Sequence, residues 1–169
     1  MRSQPFFGRL AAAALALGVL TLAGLLPAGR AAAADLSITA TSVAPGTDAI
    51  LVTGTAGEAL TAGQAVYRKA ADTKWYKADC NSATAEVRVA SAIAVTGSNI
   101  GGPVVVQTGG SLTLGATVAN GTVYYLSGTA GGIRPVADNT TGDYPQAVAM
   151  GTSTTVVKLD FGLRTGTAL

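Results

Sequence analysis

Short segments in which apolar and polar residues alternate fill most of the chain after residue 34. The clearest pair is 123–127 and 133–136, where β-branched and aromatic residues flank a Thr-Ala-Gly-Gly turn. Such residues favour a pleated, half-buried surface, and a glycine-containing turn between two such segments is typical of a hairpin. The pattern therefore predicts a β-hairpin at the centre of residues 119–143.

A second hairpin is predicted from an internal repeat. Residues 60–79 carry a similar glycine-led arm that ends in tyrosine, then a polar turn, a returning arm and a closing Ala-Asp. Tyr67 corresponds to Tyr125 at an offset of 58 residues, whereas Asp79 corresponds to Asp138 at an offset of 59. The difference predicts a one-residue insertion in the turn of the later copy.

The rest of the domain is predicted to consist of further short strands. A Gly-Gly pair predicts a hairpin turn between strands at 104–107 and 111–114. No segment predicts a helix, although the loop around Cys80 has room for one turn. About ten short strands favour a single all-β domain over residues 35–169, a sandwich or small barrel, because a lone hairpin is not stable in water. The other predicted strands are 36–40, 49–53, 85–95, 146–150 and 154–163.

Residues 1–34 differ in kind from the rest. A basic start is followed by an apolar run at 10–28 and by small residues that end at Ala34. This order is typical of a secretory signal peptide, and it predicts a hydrophobic signal-like helix with cleavage near Ala34. Two alternatives stay open. The run is long enough for a single membrane anchor, and an upstream extension of the reading frame would also give a segment foreign to the domain.

Composition favours strands and turns over amphipathic helices. Of 169 residues, 49% are hydrophobic, 12% are charged and 22 are glycine; typical globular proteins are about 25% charged. The formal charge of +2 arises in the N-terminal segment, since residues 35–169 hold 8 basic and 9 acidic side chains. The near-neutral domain lacks the stripe of basic side chains that non-specific binding to nucleic acid requires, so no nucleic-acid partner is expected.

Candidate catalytic groups are few. The chain contains no histidine, which excludes histidine-based triads and histidine-ligated zinc. Hydrolysis by a carboxylate pair stays conceivable, although aspartate also serves simply as a turn former. The carboxylates in question are Glu58, Asp72, Asp79, Glu86, Asp138, Asp143 and Asp160.

Two further features are candidate binding sites. Cys80 is the single cysteine, so there is no internal disulfide, and without a histidine partner an inert thiol is favoured. Residues 138–143 place oxygen-bearing side chains around a glycine but do not match the EF-hand spacing, which favours a solvated turn over a calcium loop. No catalytic residue, cofactor or metal site is therefore predicted.

Aromatic residues offer a candidate interface. Tyr67, Trp75, Tyr76 and Tyr124, together with Arg134, are residue types that are enriched where proteins bind one another. If they lay on one exposed face, they would form a patch for a sugar or a protein partner. The alternative is that alternate members lie in the core and the others cover it.

Several glycine- and valine-rich motifs recur through the domain. They are ADLSITA at 34–40, LTAGQAVY at 60–67, GPVVVQT at 102–108, GTVYYLSGTAGGIRPVAD at 121–138, GDY at 142–144 and GTSTT at 151–155. In these motifs, residues 35–169 resemble small β-rich virion proteins of tailed bacteriophages, of the capsid decoration (cement or head-fibre) type.

The resemblance implies a non-enzymatic structural protein on the virion surface. Its partner would be the major capsid protein or another virion protein, and copies would associate as homo-oligomers whose weak contacts multiply by valency. Ala34 stands where a protein of this type would have its starting methionine. A secreted or periplasmic β-domain that binds a surface, sugar or protein therefore stays open, with membrane contact only through residues 1–34 if they are not removed. A carboxylate-based hydrolase is the third hypothesis.

Overall fold

The computed structural model describes residues 34–162 and 166–169, which belong to one compact unit. Apart from Ala34, the predicted signal-like helix lies outside the described residues. Within them, every strand pair is antiparallel and the helical structure is limited to two short 3-10 turns, so the all-β prediction is confirmed. The strands are β1 (Ala44–Pro45), β2 (Ile50–Thr55), β3 (Ala65–Arg68), β4 (Trp75–Lys77), β5 (Ala92–Ala94), β6 (Pro103–Thr113), β7 (Val123–Leu126), β8 (Ile133–Pro135), β9 (Ala147–Gly151) and β10 (Val156–Leu159).

The strands form one curled sheet. Its main path runs β4-β3-β5-β6-β10-β9-β7-β8, and β1 and β2 pair with the other edge of β6. In the described part of the chain, β4 and β8 end this path without pairing to each other, so the sheet remains an open half-barrel. The half-barrel takes the place of the sandwich or closed barrel that the strand count favoured.

Strand β6 is the longest strand and the centre of the sheet. Its first half lies between β2 and β5, and its second half lies between β1 and β10. The predicted hairpin turn at the Gly-Gly pair is wrong. Gly110 adopts a φ of +87° inside the strand, and the register with β2 slips by one residue after Ile50. Glycine at positive φ beside such a slip forms a β-bulge, which bends a strand without ending it.

Two apolar clusters lie on opposite faces of the sheet around β3 and β5. Tyr67 of β3 and Ile93 of β5 belong to the larger cluster, which also contains side chains from β6, β7, β9 and β10. Their chain neighbours Val66 and Ala92 belong to the smaller cluster, which includes Trp75. Because successive side chains of a strand point to opposite faces, β3 and β5 are buried on both sides.

Both predicted hairpins are present, as β3–β4 and β7–β8. Tyr67 lies opposite Tyr76, and Tyr125 lies opposite Arg134, so both arms of the repeat share the 58-residue offset. The predicted insertion in the turn is therefore wrong. The extra residue follows the second arm, where the chain forms the 3-10 turn Val136–Asp138.

The two hairpins present different faces to the larger cluster. Tyr67 lies in that cluster, but its repeat counterpart Tyr125 is only partly buried, and Tyr124 takes the core position instead. The repeat thus preserves backbone register but not side-chain packing.

Two of the predicted strands do not form over the predicted residues. Residues 36–40 make single backbone contacts, from Leu36 to Ile133 and from Thr39 to Gly115, and then enter the 3-10 turn Ala40–Ser42. Residues 85–95 contain only the three-residue β5, because residues 84–89 form turns in which backbone N–H groups donate to carbonyls three residues earlier. The small residues of this segment are compatible with a strand, but among the described residues no adjacent strand pairs with the part before β5.

Candidate protein-interaction edge

The structure buries four of the five side chains that the sequence suggested for an interface. Tyr67, Trp75, Tyr124 and Arg134 are buried, and Tyr76 is partly buried. They do not share one surface. The rings of Tyr67 and Tyr76 lie 5.9 Å apart between centroids, while Trp75 and Tyr124 belong to different clusters. This placement favours the alternative in which the aromatic residues build and cover the core.

Arg134 belongs to a buried polar cluster. Its guanidinium forms an ion pair with Asp143 and lies 3.3 Å from the Cys80 sulfur. Its Nε donates to the Asn139 side chain at 3.2 Å, and the Thr140 hydroxyl donates to Asp143 at 3.0 Å. The cluster therefore ties the loop after β8 to the interior, which is a structural role.

The thiol of Cys80 is fully buried in this cluster. Burial, reinforced by the Asp143 carboxylate that accepts its hydrogen bond, raises the pKa of Cys80 to about 12. Since the thiolate is the reactive form, we expect the native thiol to react with a disulfide reagent at pH 8 at least about a thousandfold more slowly than the unfolded one. Labelling with and without urea measures this ratio, and rapid native labelling would contradict the placement of Cys80.

Most carboxylates considered for hydrolysis have partners that are not carboxylates. Asp143 has Arg134, and the segment 138–143 is organised by that pair. Among residues 34–162 and 166–169, no group of three or more acidic or thiol ligands could hold a metal ion. The other pairings are Glu58 with the Lys77 N–H, Asp72 with the Tyr76 hydroxyl, Asp79 with the Asn81 N–H, Glu86 with the Ala70 N–H and Asp160 with the Gly162 N–H.

Strand β2 exposes three large apolar side chains. Ile50, Leu51 and Val52 are 60%, 48% and 38% exposed, although the sequence around them has the composition of a buried strand. The strand begins after a turn in which the Ala49 N–H donates to Gly46. In the described part of the chain, β2 pairs with β6 on one side. On the other side no strand pairs with Ile50 to Thr53, but just past Thr55 the chain bridges to β4, where the Gly57 N–H donates to the Trp75 carbonyl at 2.8 Å.

The backbone of β2 presents alternate residues to its open side. Thr55 lies opposite Pro103, which has no N–H, and Thr53 lies opposite Val105, whose N–H and C=O bond to the β5 side. Thr53 and Thr55 therefore belong to non-hydrogen-bonded pairs. By the same alternation, Leu51, Thr53 and Thr55 direct their N–H and C=O groups away from β6. Because the bridge between Ala56 and Trp75 of β4 lies beside Thr55, the open side is limited to Leu51 and Thr53, and we call these two residues with Val52 the β2 edge.

An ion pair flanks the β2 edge at each end. Lys158 pairs with Asp48 before the strand, and Lys77 lies 3.9 Å from Glu58 after it. Residues 49–57 carry no charge. The β2 edge therefore combines uncharged, mostly apolar side chains with open backbone groups, and it lies between two ion pairs.

Comparisons of the chain with protein-family models, with curated proteins and with solved structures found no match. Among the described residues, no helix is both long and apolar enough to span a membrane. The β2 edge was missed from the sequence because an Ile-Leu-Val run has the same appearance in a central strand as in an edge strand.

Proposed function

We propose that residues 35–169 are a non-enzymatic structural module of a tailed-phage virion, which decorates or stabilises the outer surface of the capsid. Its partner is the major capsid protein or another virion protein. The proposal rests on the resemblance in the glycine- and valine-rich motifs and on one structural observation, the exposed β2 edge.

The β2 edge supports an assembly role because exposed edge strands with apolar side chains are templates for pairing with another chain. Monomeric proteins usually shorten, charge or cover such strands. Ile50, Leu51 and Val52 instead stand open beside unpaired backbone groups. A surface of this kind suits a protein that works in contact with others.

The near-neutral charge supports attachment that does not depend on long-range electrostatic attraction. Residues 35–169 hold 8 basic and 9 acidic side chains, so the net charge of the domain is close to zero. The domain therefore has no large electrostatic field that added salt could screen. Individual contacts of modest strength would be multiplied by the many identical positions of a capsid.

The test is binding of residues 35–169, made without the leader, to purified heads. We expect saturable sedimentation with the heads at micromolar protein, little changed between 0.1 and 0.5 M NaCl. Purified tails serve as the control for non-specific adsorption. Absence of binding to any head at micromolar concentration, or equal binding to tails, would count against the proposal.

An exported β-domain is the second candidate, and the signal-like pattern that ends at Ala34 favours it. Intact-mass spectrometry of the protein from its native source separates the two. A chain beginning near Asp35 in the medium or periplasm would support export. The same chain in purified particles would support the capsid role.

A further inference from the structure

We propose that residues 139–143 form a polar strap that opens by itself, without unfolding of the sheet, and that its opening uncovers the thiol of Cys80 beside the guanidinium of Arg134. We call this segment the 139–143 strap. The inference concerns the motion of one loop, and it holds whether or not the protein attaches to phage heads.

The 139–143 strap carries no apolar side chain. Its sequence is Asn-Thr-Thr-Gly-Asp. Thr140, Thr141 and Gly142 are exposed, Asn139 is partly buried, and Asp143 is the one buried residue of the five. Opening therefore gives up little hydrophobic burial. Segments with few buried apolar contacts open locally at a lower free energy than global unfolding requires.

Polar contacts to two residues fasten the strap to the rest of the domain. The Asp143 carboxylate pairs with Arg134 and accepts a hydrogen bond from the Cys80 thiol at 3.3 Å. The Asn139 side-chain oxygen accepts from the Nε of Arg134 at 3.2 Å. Next to the strap, the Tyr144 N–H donates to the Cys80 carbonyl at 3.0 Å. Because these contacts converge on Arg134 and Cys80, they are expected to break together.

A further pair of backbone bonds lies on the outer side of the strap. The Gly142 N–H donates to the Leu169 carbonyl at 3.0 Å, and the Leu169 N–H donates to the Asp143 carbonyl at 2.9 Å. The Leu169 side chain is mostly exposed, so this contact adds little apolar burial. Residues 166–169 are therefore expected to move with the strap.

Opening separates the ion pair in a way that rehydrates both charges. A buried pair contributes little net stability, because the desolvation of two charges offsets their mutual attraction. When the strap lifts, Asp143 and Arg134 both reach water, and neither is left buried without a partner. The pair thus fixes the closed geometry of the strap without making its release as costly as unfolding.

The open strap changes the surroundings of the thiol. In the closed state the Asp143 carboxylate accepts the hydrogen bond of the thiol, and Arg134 lies 3.3 Å from the sulfur. Once Asp143 has moved away, the guanidinium on β8 is the charged neighbour that remains. A neighbouring cation favours the thiolate, which is the reactive form. The strap therefore controls both the access to Cys80 and its reactivity.

The test is the rate at which Cys80 of the full chain reacts with an aromatic disulfide reagent, at urea concentrations below the unfolding transition. The thiol loses its proton to solvent, the thiolate attacks one sulfur of the reagent to form a mixed disulfide, and the other half leaves as a coloured thiolate. We expect a rate at least about tenfold above the rate that global unfolding alone allows. Its dependence on urea should be weaker, since that slope scales with the surface exposed.

Two variants loosen the strap, and a third is the matched control. Asn139→Ala removes the acceptor of the Arg134 Nε and should speed the labelling about three- to tenfold. Asp143→Asn removes the charge and should speed it by at least about tenfold. Gly101→Ala strains a turn whose N–H donates to Ala56, so it lowers the global stability and leaves the strap contacts intact. Its labelling rate should equal that of the unmodified protein.

Hydrogen exchange gives a second measure of the same opening. The Tyr144 amide, which donates to the Cys80 carbonyl, should exchange with the opening equilibrium found from labelling. The Cys80 amide donates to the Ser127 carbonyl and should stay protected until global unfolding.

Equal urea dependence of labelling and of global unfolding would overturn the proposal. So would labelling that speeds up in Gly101→Ala in proportion to its loss of stability, or labelling that is unchanged in Asn139→Ala. None of these measurements involves phage heads, so failure of this proposal and failure of the capsid role are distinguishable.

Discussion

Replacing Asp143 with alanine is expected to lower the free energy of unfolding by about 3 to 5 kcal/mol. The change leaves the Arg134 guanidinium buried without its carboxylate, and an unpaired buried charge costs more than the pair contributed. It also removes the acceptor for Thr140, so the loop after β8 loses its anchor. Urea denaturation followed by tryptophan fluorescence measures the loss.

A double replacement separates the cost of the orphaned charge from the value of the pair. Arg134→Met with Asp143→Leu removes both charges, and we expect it to cost less than the sum of the two single changes. Lys158→Ala is the matched control, because it breaks an exposed ion pair and should have a much smaller effect. Additive losses in the double variant would contradict the coupling.

The contribution of Asp143 should depend on pH. Burial by itself raises the pKa of Asp143, but hydrogen bonds from Thr140 and Cys80 and the charge of Arg134 outweigh it, and the pKa lies below its ordinary value of 3.8. A carboxyl group whose folded pKa is lowered stabilises the protein above its unfolded pKa and loses that contribution as the pH falls. The stability difference between the protein and Asp143→Asn should therefore be constant from pH 5 to 7 and shrink below about pH 4. A difference that stayed constant down to pH 3 would contradict this.

Replacing Gly110 with alanine is expected to lower the free energy of unfolding by at least about 3 kcal/mol. Gly110 has a φ of +87°, which L-residues rarely adopt, and an added Cβ would lie 2.2 Å from the Asp48 carbonyl oxygen. Because that oxygen belongs to the backbone, the strand must shift to relieve the clash. The shift would disturb the pairing of β6 with both β2 and β10. Thermal and urea unfolding measure the loss.

Gly101 supplies the control for that experiment. Its φ is +77°, but an added Cβ would meet nothing within 4 Å. Gly101→Ala should therefore cost only the backbone strain, about 1 to 2 kcal/mol. Equal losses at the two positions would mean that the close approach to Asp48 does not matter.

The sequence by itself determined the local elements. Alternation in β10 places Val157 and Leu159 in the core and Lys158 outside. The two hairpins were predicted from strand-forming arms around glycine turns, because turn chemistry and period-2 patterning act between residues close in the chain. The polar turns and the low charge likewise indicated an all-β domain.

The tertiary structure decided which strands are neighbours. A Gly-Gly pair can turn a hairpin or bulge a continuous strand, and β6 continues because partners distant in sequence line both of its edges. The same reason explains the aromatic residues and the β2 edge. Alternation specifies the face on which a side chain lies but not whether another layer covers it, nor whether a strand has one neighbour or two. Trp75 is therefore buried and Leu51 exposed, although both lie in strands predicted from the same kind of pattern.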